Sequence, residues 1–312
     1  MYLKGATIDN LTTTLCRLKS LSSLTLHDCG GFTNIPETIG ELTDLERVEL
    51  PKCDSLVNLP NNFGNLSILK TLILSECPEV INLPNDFDNL CALIELDLHD
   101  CSSLVSLPDS FGNLSALIEL NLKKIIQLDN FDNLSSLKKL DLSYCSNLVS
   151  LPDNFGNLSL TKLKIHDCSS LVSIPDSFGN LSSLTEIDLS YCSNLVSLPD
   201  SFGNLSLTKF KIHDCSSLVS LTDNFDNLSS LTELDLSYCS SLVSLLDSFG
   251  NLSLTKFKIH DCSSLVSLSD SFDNLSSLAE LDLSYSSSLV SLPDSFGNLS
   301  LTKFKIHVIV PT

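Results

Sequence analysis

The sequence predicts an α/β solenoid, a horseshoe with about 13 parallel strands on its concave face and short helical or 3-10 turns on its convex face. Three observations predict it. Residues 184–206, LTEIDLSYCSNLVSLPDSFGNLS, and 207–230, LTKFKIHDCSSLVSLTDNFDNLSS, are two copies of one unit, and further copies precede and follow them. Apolar residues recur in each copy as LxxLxLxxCxxLxxLxxxF, alternating as in a half-buried strand at the start and spaced more widely after the cysteine. The period of 23 or 24 residues is that of a strand-plus-turn repeat of the leucine-rich kind. One such unit cannot fold alone. About seven apolar anchors at roughly 1.5 to 3 kcal/mol each face about 1 to 2 kcal/mol of backbone entropy for every residue. Stacking is therefore obligatory, with each strand paired to the next and the leucine, phenylalanine and cysteine layers merged into one core.

In chain order, residues 1–20 read as a degenerate first repeat or cap. The repeat array proper spans 21–307, beginning with four units of 24 (21–44, 45–68, 69–92, 93–116). Residues 117–136, LIELNLKKIIQLDNFDNLSS, form a short unit that lacks residues around the cysteine position and the usual proline. Units of 23 and 24 then alternate to residue 300, and a last strand, LTKFKIH, is followed by the uncapped tail 308–312. A terminal repeat normally carries a polar cap, whereas Val308, Ile309 and Val310 are apolar, so a larger multidomain protein is expected around this array.

A formal net charge of -20 disfavours nucleic acid and anionic membrane as partners, because both require basic surface. No apolar run approaches the roughly 18 residues of a membrane span, and the first 20 residues lack the apolar core of a secretory signal. A cytoplasmic protein is expected. Ten of the 12 cysteines (Cys29, Cys53, Cys77, Cys101, Cys145, Cys168, Cys192, Cys215, Cys239, Cys262) share the position just after the strand, leaving Cys16 and Cys91 elsewhere. Buried, reduced thiols serving as small core groups are the expectation.

Strand alternation turns the third, fifth and seventh positions of each unit to solvent. From residue 160 onward these alternate in charge: Lys162, Lys164 and His166 precede Glu186, Asp188 and Ser190, then Lys209, Lys211 and His213 precede Glu233, Asp235 and Ser237. The alternation predicts two ladders in which lysine sits beside glutamate and lysine beside aspartate. The earlier units are irregular at the same positions. A protein ligand is accordingly expected on Thr71, Ile73, Glu95, Asp97, Asn121, Lys123, Lys124, Lys139, Asp141, Lys162 and Lys164, with like-charged lysines meeting around the short unit.

Other chemistry suggested by the sequence is weaker. Five His-Asp pairs begin at His27, His99, His166, His213 and His260, but neighbours on a strand face opposite ways and no nucleophile elbow is present. Histidines on every second strand stand about 10 Å apart, too far to share a zinc ion. An aspartate column (Asp109, Asp153, Asp176, Asp200, Asp223, Asp247, Asp270, Asp294) suits calcium in principle, but capping of the following turn through backbone N–H groups is the expected role. Eleven Asn-x-Ser/Thr sequons arise from duplication of one position, apart from Asn10, and are expected to be unmodified. No catalytic residue, metal or cofactor is expected.

The form LxxLxLxxCxxLxxLPxxFGNLxxL, as in LIELDLHDCSSLVSLPDSFGNLSAL (93–117), resembles the repeat domain of plant intracellular nucleotide-binding leucine-rich-repeat immune receptors. The resemblance covers about 21–307 and implies recognition of pathogen or guarded host proteins, in plant defense. The LxGxIP form of extracellular plant receptor kinases is absent, as is any GxxxxGK[ST] phosphate loop. A non-catalytic protein-recognition module is the expected function. The alternatives are a cytosolic scaffold like the Ras-associated repeat proteins, which share 23-residue units with LPxxF, and a secreted recognition ectodomain.

Overall fold

A computed structural model describes residues 1–7, 17–125 and 133–307. Cys16, the Asn10 sequon, part of the short unit and the tail 308–312 lie outside the described residues. The chain forms two compact units, Met1–Cys145 with Asn157–Ser159, and Ser146–Gly156 with Leu160–Thr312. The first holds β1 (Tyr2–Lys4), β2 (Ser23–His27), β3 (Arg47–Glu49), β4 (Thr71–Ile73), β5 (Glu95–Asp97), β6 (Glu119–Asn121) and β7 (Lys139–Asp141). The second holds β8 (Lys162–Lys164), β9 (Glu186–Asp188), β10 (Lys209–Lys211), β11 (Glu233–Asp235), β12 (Lys256–Lys258), β13 (Glu280–Asp282) and β14 (Lys303–Lys305). Within each unit the strands follow sequence order and pair in parallel.

There are 14 strands where about 13 were expected, because the degenerate opening segment supplies one. Tyr2, Leu3 and Lys4 stand in register with Thr25, Leu26 and His27, so residues 1–7 hold a true first rung. The segments between the strands hold 3-10 turns of three to five residues, such as Asp176–Asn180 and Phe225–Asn227. The register of each repeat rests on its turn. In every repeat the residue before the cysteine position has positive φ, for example Asp28 (55°), Asp100 (59°), Tyr191 (62°) and Asp261 (56°). That left-handed residue swings the chain out of the sheet and lets the next side chain point inward, and aspartate tolerates it better than most residues. This geometry, rather than catalysis, accounts for the aspartates of the His-Asp pairs.

Phenylalanines of the turns stack through the core. Phe155, Phe178, Phe202 and Phe225 follow one another at centroid distances of 6.1, 6.0 and 6.4 Å with ring planes within 5° of parallel. Each is fully buried, and each offset pair adds about 0.5 to 1.5 kcal/mol beyond its burial. The residue after the phenylalanine is tightly confined where it is glycine: a Cβ on Gly156 would collide with the backbone oxygen of Ser177 in the next turn.

The ten repeat-position cysteines are buried and unbridged as expected, and nine of them have a further task that the spacing did not reveal. Cys53, Cys77 and Cys101 donate S–H bonds to the carbonyls of Leu26, Leu50 and Leu74 at 3.3, 3.0 and 3.1 Å. The thiol thus satisfies a buried carbonyl of the preceding repeat. Ser286, which replaces cysteine in the last full unit, makes the equivalent bond to Ile259 at 3.0 Å. In the short unit Ile125 takes this place, buried but without a donor.

At three of the expected positions the aspartate cap is not formed. In the turns at Asp176–Asn180, Asp200–Asn204 and Asp294–Asn298 a proline occupies the cap position, and no side chain caps the N–H groups. The aspartate is instead the first residue inside the turn. Asp200 accepts a hydrogen bond from Thr222 of the next repeat at 2.7 Å. Where serine replaces the proline, Ser269 accepts from the Ser271 N–H, so the cap returns with the residue that can make it.

Candidate functional site

The solvent face of the sheet is built by three-residue strands whose middle residue is buried and whose flanking residues project outward. In the second unit the register is the one expected. Lys209 lies between Glu186 and Glu233, and Lys258 between Asp235 and Asp282. At the fifth position three lysines reach back one strand, Lys211 to Asp188 (4.0 Å), Lys258 to Asp235 (3.2 Å) and Lys305 to Asp282 (3.5 Å). Third-position partners include Lys162 with Glu186 (2.8 Å) and Lys303 with Glu280 (2.6 Å). The hydrogen bond from Lys162 holds the Glu186 carboxyl below its ordinary range, helped by the Lys209 and Lys211 charges.

The seventh position departs from expectation. Ser75, Ser143, Ser190, Ser237 and Ser284 are buried rather than displayed. A row of tyrosines and histidines takes their place at the surface. Tyr191 packs edge-on between His166 and His213, at 4.9 and 4.8 Å, and Tyr238 meets His260 at 4.4 Å. The sequence signal was present in the alternation of SYC with HDC, but strand alternation assigns the tyrosine to the wrong face because it ignores the left-handed turn.

In the first unit the expected site residues separate into small groups. Thr71 is only 5% exposed, contrary to its place among the displayed residues, and its hydroxyl faces Glu95 at 3.5 Å. Asp97 accepts the His99 backbone N–H at 3.0 Å and lies 2.7 Å from His99 Nδ1. Asn121 reaches the same ring nitrogen at 3.5 Å, and Glu76 approaches the other at 4.0 Å. Ile73 is half-buried beside Asp97 in the strand register. His99 and Glu76, which were not among the expected binding residues, therefore bring Asp97 and Asn121 into one polar cluster.

In the first unit the lysines around the short unit each meet a separate partner. Lys123 lies 4.7 Å over the Tyr144 ring, Lys124 pairs with Asp100 at 2.6 Å and Lys139 with Glu119 at 2.5 Å. Asp141 accepts the Ser143 backbone N–H at 3.0 Å. Lys162 and Lys164 belong to the second unit, where β8 pairs with β9. Each cation of this group that has a partner has found a carboxylate or a ring, because an unpaired lysine among lysines would pay in repulsion.

Among the described residues no group of three or more His, Cys, Asp or Glu is placed to hold a metal, and no helix is long and apolar enough to cross a membrane. Two depressions on the second unit's sheet face, over β10–β12 and β12–β14, hold about 170 and 240 Å³. Both are smaller than the roughly 300 Å³ at which small-molecule pockets begin. These faces suit broad contact rather than an enclosed ligand.

The Leucine Rich Repeat family profile matches residues 92–114, 136–158, 183–205 and 230–252. Those four segments are leucine-rich repeats. No curated protein sequence matches the chain. Its fold is shared with a leucine-rich-repeat protein of Leptospira interrogans, at 22% identity and a TM-score of 0.57, over 96% of this chain and 88% of the other. It is also similar to Toll of Drosophila, solved in complex with Spatzle, at 20% identity and a TM-score of 0.61, over 98% and 47% of the two chains. TLR13, solved with an RNA named ssRNA13, matches at 22% identity and a TM-score of 0.54, over 98% and 50%. This chain spans about half the length of the latter two. At these identities the likeness establishes the leucine-rich-repeat solenoid fold.

Proposed function

We infer that this chain is a non-catalytic protein-recognition module whose partner docks on the sheet face of the first unit, from β4 to β7. The observation that carries this reading is the mixed chemistry there: the His99 cluster with Asp97, Asn121 and Glu76, half-buried Ile73, and Lys123 over Tyr144. Irregular donors, acceptors and an apolar spot within one face read a specific protein surface better than a repeated charge pattern does. A protein partner is favoured over RNA because the chain carries a net charge of -20 and the first unit's lysines Lys124 and Lys139 are committed to carboxylates. The complex of Toll with Spatzle is a precedent within the same fold.

The LPxxFGNL motif supports a narrower role as the recognition part of a plant intracellular immune receptor. The test is affinity capture from the native source with three baits: wild type, a D97K/N121K variant, and a K209E/K211E variant of the second unit. Loss of the same protein from the first variant alone is the expected result. Capture unaffected by D97K/N121K, or abolished by ribonuclease, would refute the reading. One observation favours the secreted alternative: the sequon asparagines at Asn65, Asn113, Asn180, Asn204 and Asn251 are exposed at the ends of their turns. Intact mass of native protein decides this, since glycans at those sites would place the module outside the cell.

A further inference from the structure

The charge ladders of the second unit neutralise themselves, but the row of residues beside them does not. That row is the left-handed residue before each cysteine position, and just after β9 to β13 it reads Tyr191, Asp214, Tyr238, Asp261 and Tyr285. All five have φ between 56° and 63°. The backbone ladder runs on through them: Tyr191, Asp214, Tyr238 and Asp261 donate their N–H groups to the His213, Ser237, His260 and Ser284 carbonyls of the following repeat, at 2.8 to 2.9 Å. Neighbours in the row are therefore one strand spacing of about 4.8 Å apart, and successive tyrosines about 9.6 Å. Tyr191, Tyr238 and Tyr285 are 41%, 46% and 50% exposed. The His213 and His260 rings pack against Tyr191 and Tyr238 at 4.8 and 4.4 Å and fix their orientation. Among the described residues no ion pair reaches Asp214 or Asp261, whereas Asp188 and Asp235 of the ladder are engaged by Lys211 and Lys258.

We propose that this row binds an extended basic segment of a partner protein, one with Arg or Lys at every third residue. The row makes two like slots, Tyr191 and Tyr238 on either side of Asp214, and Tyr238 and Tyr285 on either side of Asp261. Each has the chemistry that takes a cationic side chain: the carboxylate meets the charge, and the rings cover the aliphatic stem. In the first unit a tyrosine of the same position already accepts a cation, for Lys123, at the histidine's place, lies 4.7 Å over the Tyr144 ring. Spacing sets the pattern of the partner. A polyproline II segment returns to the same face every third residue, about 9.3 Å on, which fits the two-strand step of about 9.6 Å from one slot to the next. The chain's net charge of -20 attracts a partner of the same sign as the slots require. A second copy does not supply the segment, because no two of this chain's 18 basic residues are three apart.

The probe is a synthetic peptide of four Pro-Pro-Arg repeats with blocked ends, titrated against the whole chain at physiological ionic strength. Saturable binding is expected. D214N/D261N removes both charges yet keeps residues that tolerate the left-handed turn, and it should weaken binding about 10-fold. Tyr238→Asn, which removes the wall shared by the two slots, should weaken it by a similar factor. A peptide of the same composition with its arginines contiguous should also bind about 10-fold more weakly. The control D223N/D247N removes two exposed aspartates of the same unit outside the row and should leave affinity unchanged. Absence of saturable binding overturns the proposal, as does wild-type affinity in D214N/D261N or in Tyr238→Asn. So does equal weakening by D223N/D247N, because net charge alone then attracts the peptide, and so does equal or tighter binding of the contiguous peptide. None of these residues belongs to the first-unit surface, so failure here leaves the recognition reading standing.

Discussion

The two units use the same repeat to opposite ends. In the first, no two neighbouring strands from β2 to β7 present the same outward residues, and the polar contacts are local: Arg47 bonds Glu49 at 2.8 Å within one strand, Lys70 reaches Glu46 at 2.7 Å, and His99 gathers three neighbours. In the second, β8 to β14 alternate between two fixed patterns and every lysine row meets an acid row. Self-complementary charge leaves little unsatisfied potential for a partner, whereas irregular charge leaves specific donors and acceptors. The difference teaches that the repeat core fixes the scaffold, and that the exposed positions divide between holding the scaffold in register and reading another molecule.

The cores differ too, and that gives the largest effect. Phe210 occupies a strand position held by Leu96 in the first unit, and it packs on Phe202 and Phe225 at 5.1 and 6.1 Å. Phe210→Ala should cost about 3 to 5 kcal/mol, and Leu96→Ala about 2 to 5. Because repeats couple mainly to their neighbours, the loss should appear as local opening in hydrogen exchange, confined to the unit mutated. Uniform loss of protection in both units would break the comparison.

Next in size is the thiol ladder, where Cys239 donates to the Ile212 carbonyl at 3.2 Å. Cys239→Ala should cost about 1 to 3 kcal/mol by leaving a buried acceptor unpaired. Cys239→Ser should cost less, because Ser286 already makes this bond elsewhere. Equal losses by chemical denaturation would show that volume, not the donor, matters. Burial also pushes the Cys101, Cys239 and Cys262 thiols up to about 12. Native protein should therefore be alkylated at exposed Cys91 while these three stay unmodified until unfolding, as mass spectrometry of the labelled peptides would show.

The period, the inward leucines, the buried cysteines and the Lys209–Glu186 register were all legible in the sequence, since each follows from repetition and from strand alternation. What was not legible depends on backbone geometry that alternation does not contain. Ser190 was placed on the surface because a strand was assumed to continue, but the strand ends before Tyr191, which turns left-handed. The aspartate caps failed for a similar reason: proline at the cap position leaves the aspartate one residue too far into the turn. In the first unit, Asp97 and Asn121 were selected for their irregularity alone. His99, which joins them, was hidden among five His-Asp pairs that look alike in sequence.

The smallest effects test the charge ladders directly. At Asp235 and Asp282 burial pushes the carboxyl up, but hydrogen bonds from Ser237 and Ser284 and the charges of Lys258 and Lys305 outweigh it, leaving both below the usual range. Glu186 is lowered as well, chiefly by the Lys162 hydrogen bond. A carboxyl whose folded value is depressed stabilises the fold fully above its unfolded value, about 3.9 for Asp and 4.3 for Glu, and loses that contribution as pH falls through the folded value. Acid should therefore loosen β9 to β13 progressively below about pH 4, and hydrogen exchange compared across that range should show it. Salt acts on the same pairs from another direction. They are largely exposed, so each contributes about 0.2 to 1 kcal/mol, and screening within about 10 Å at 0.1 M should remove part of it. Melting of the second unit should fall by a few degrees between about 10 mM and 500 mM sodium chloride, and E186K should flatten that response by placing Lys162, residue 186 and Lys209 in one cationic row. If the salt response survives E186K unchanged, the ladder does not set the register, and the contrast between the two units rests on their cores alone.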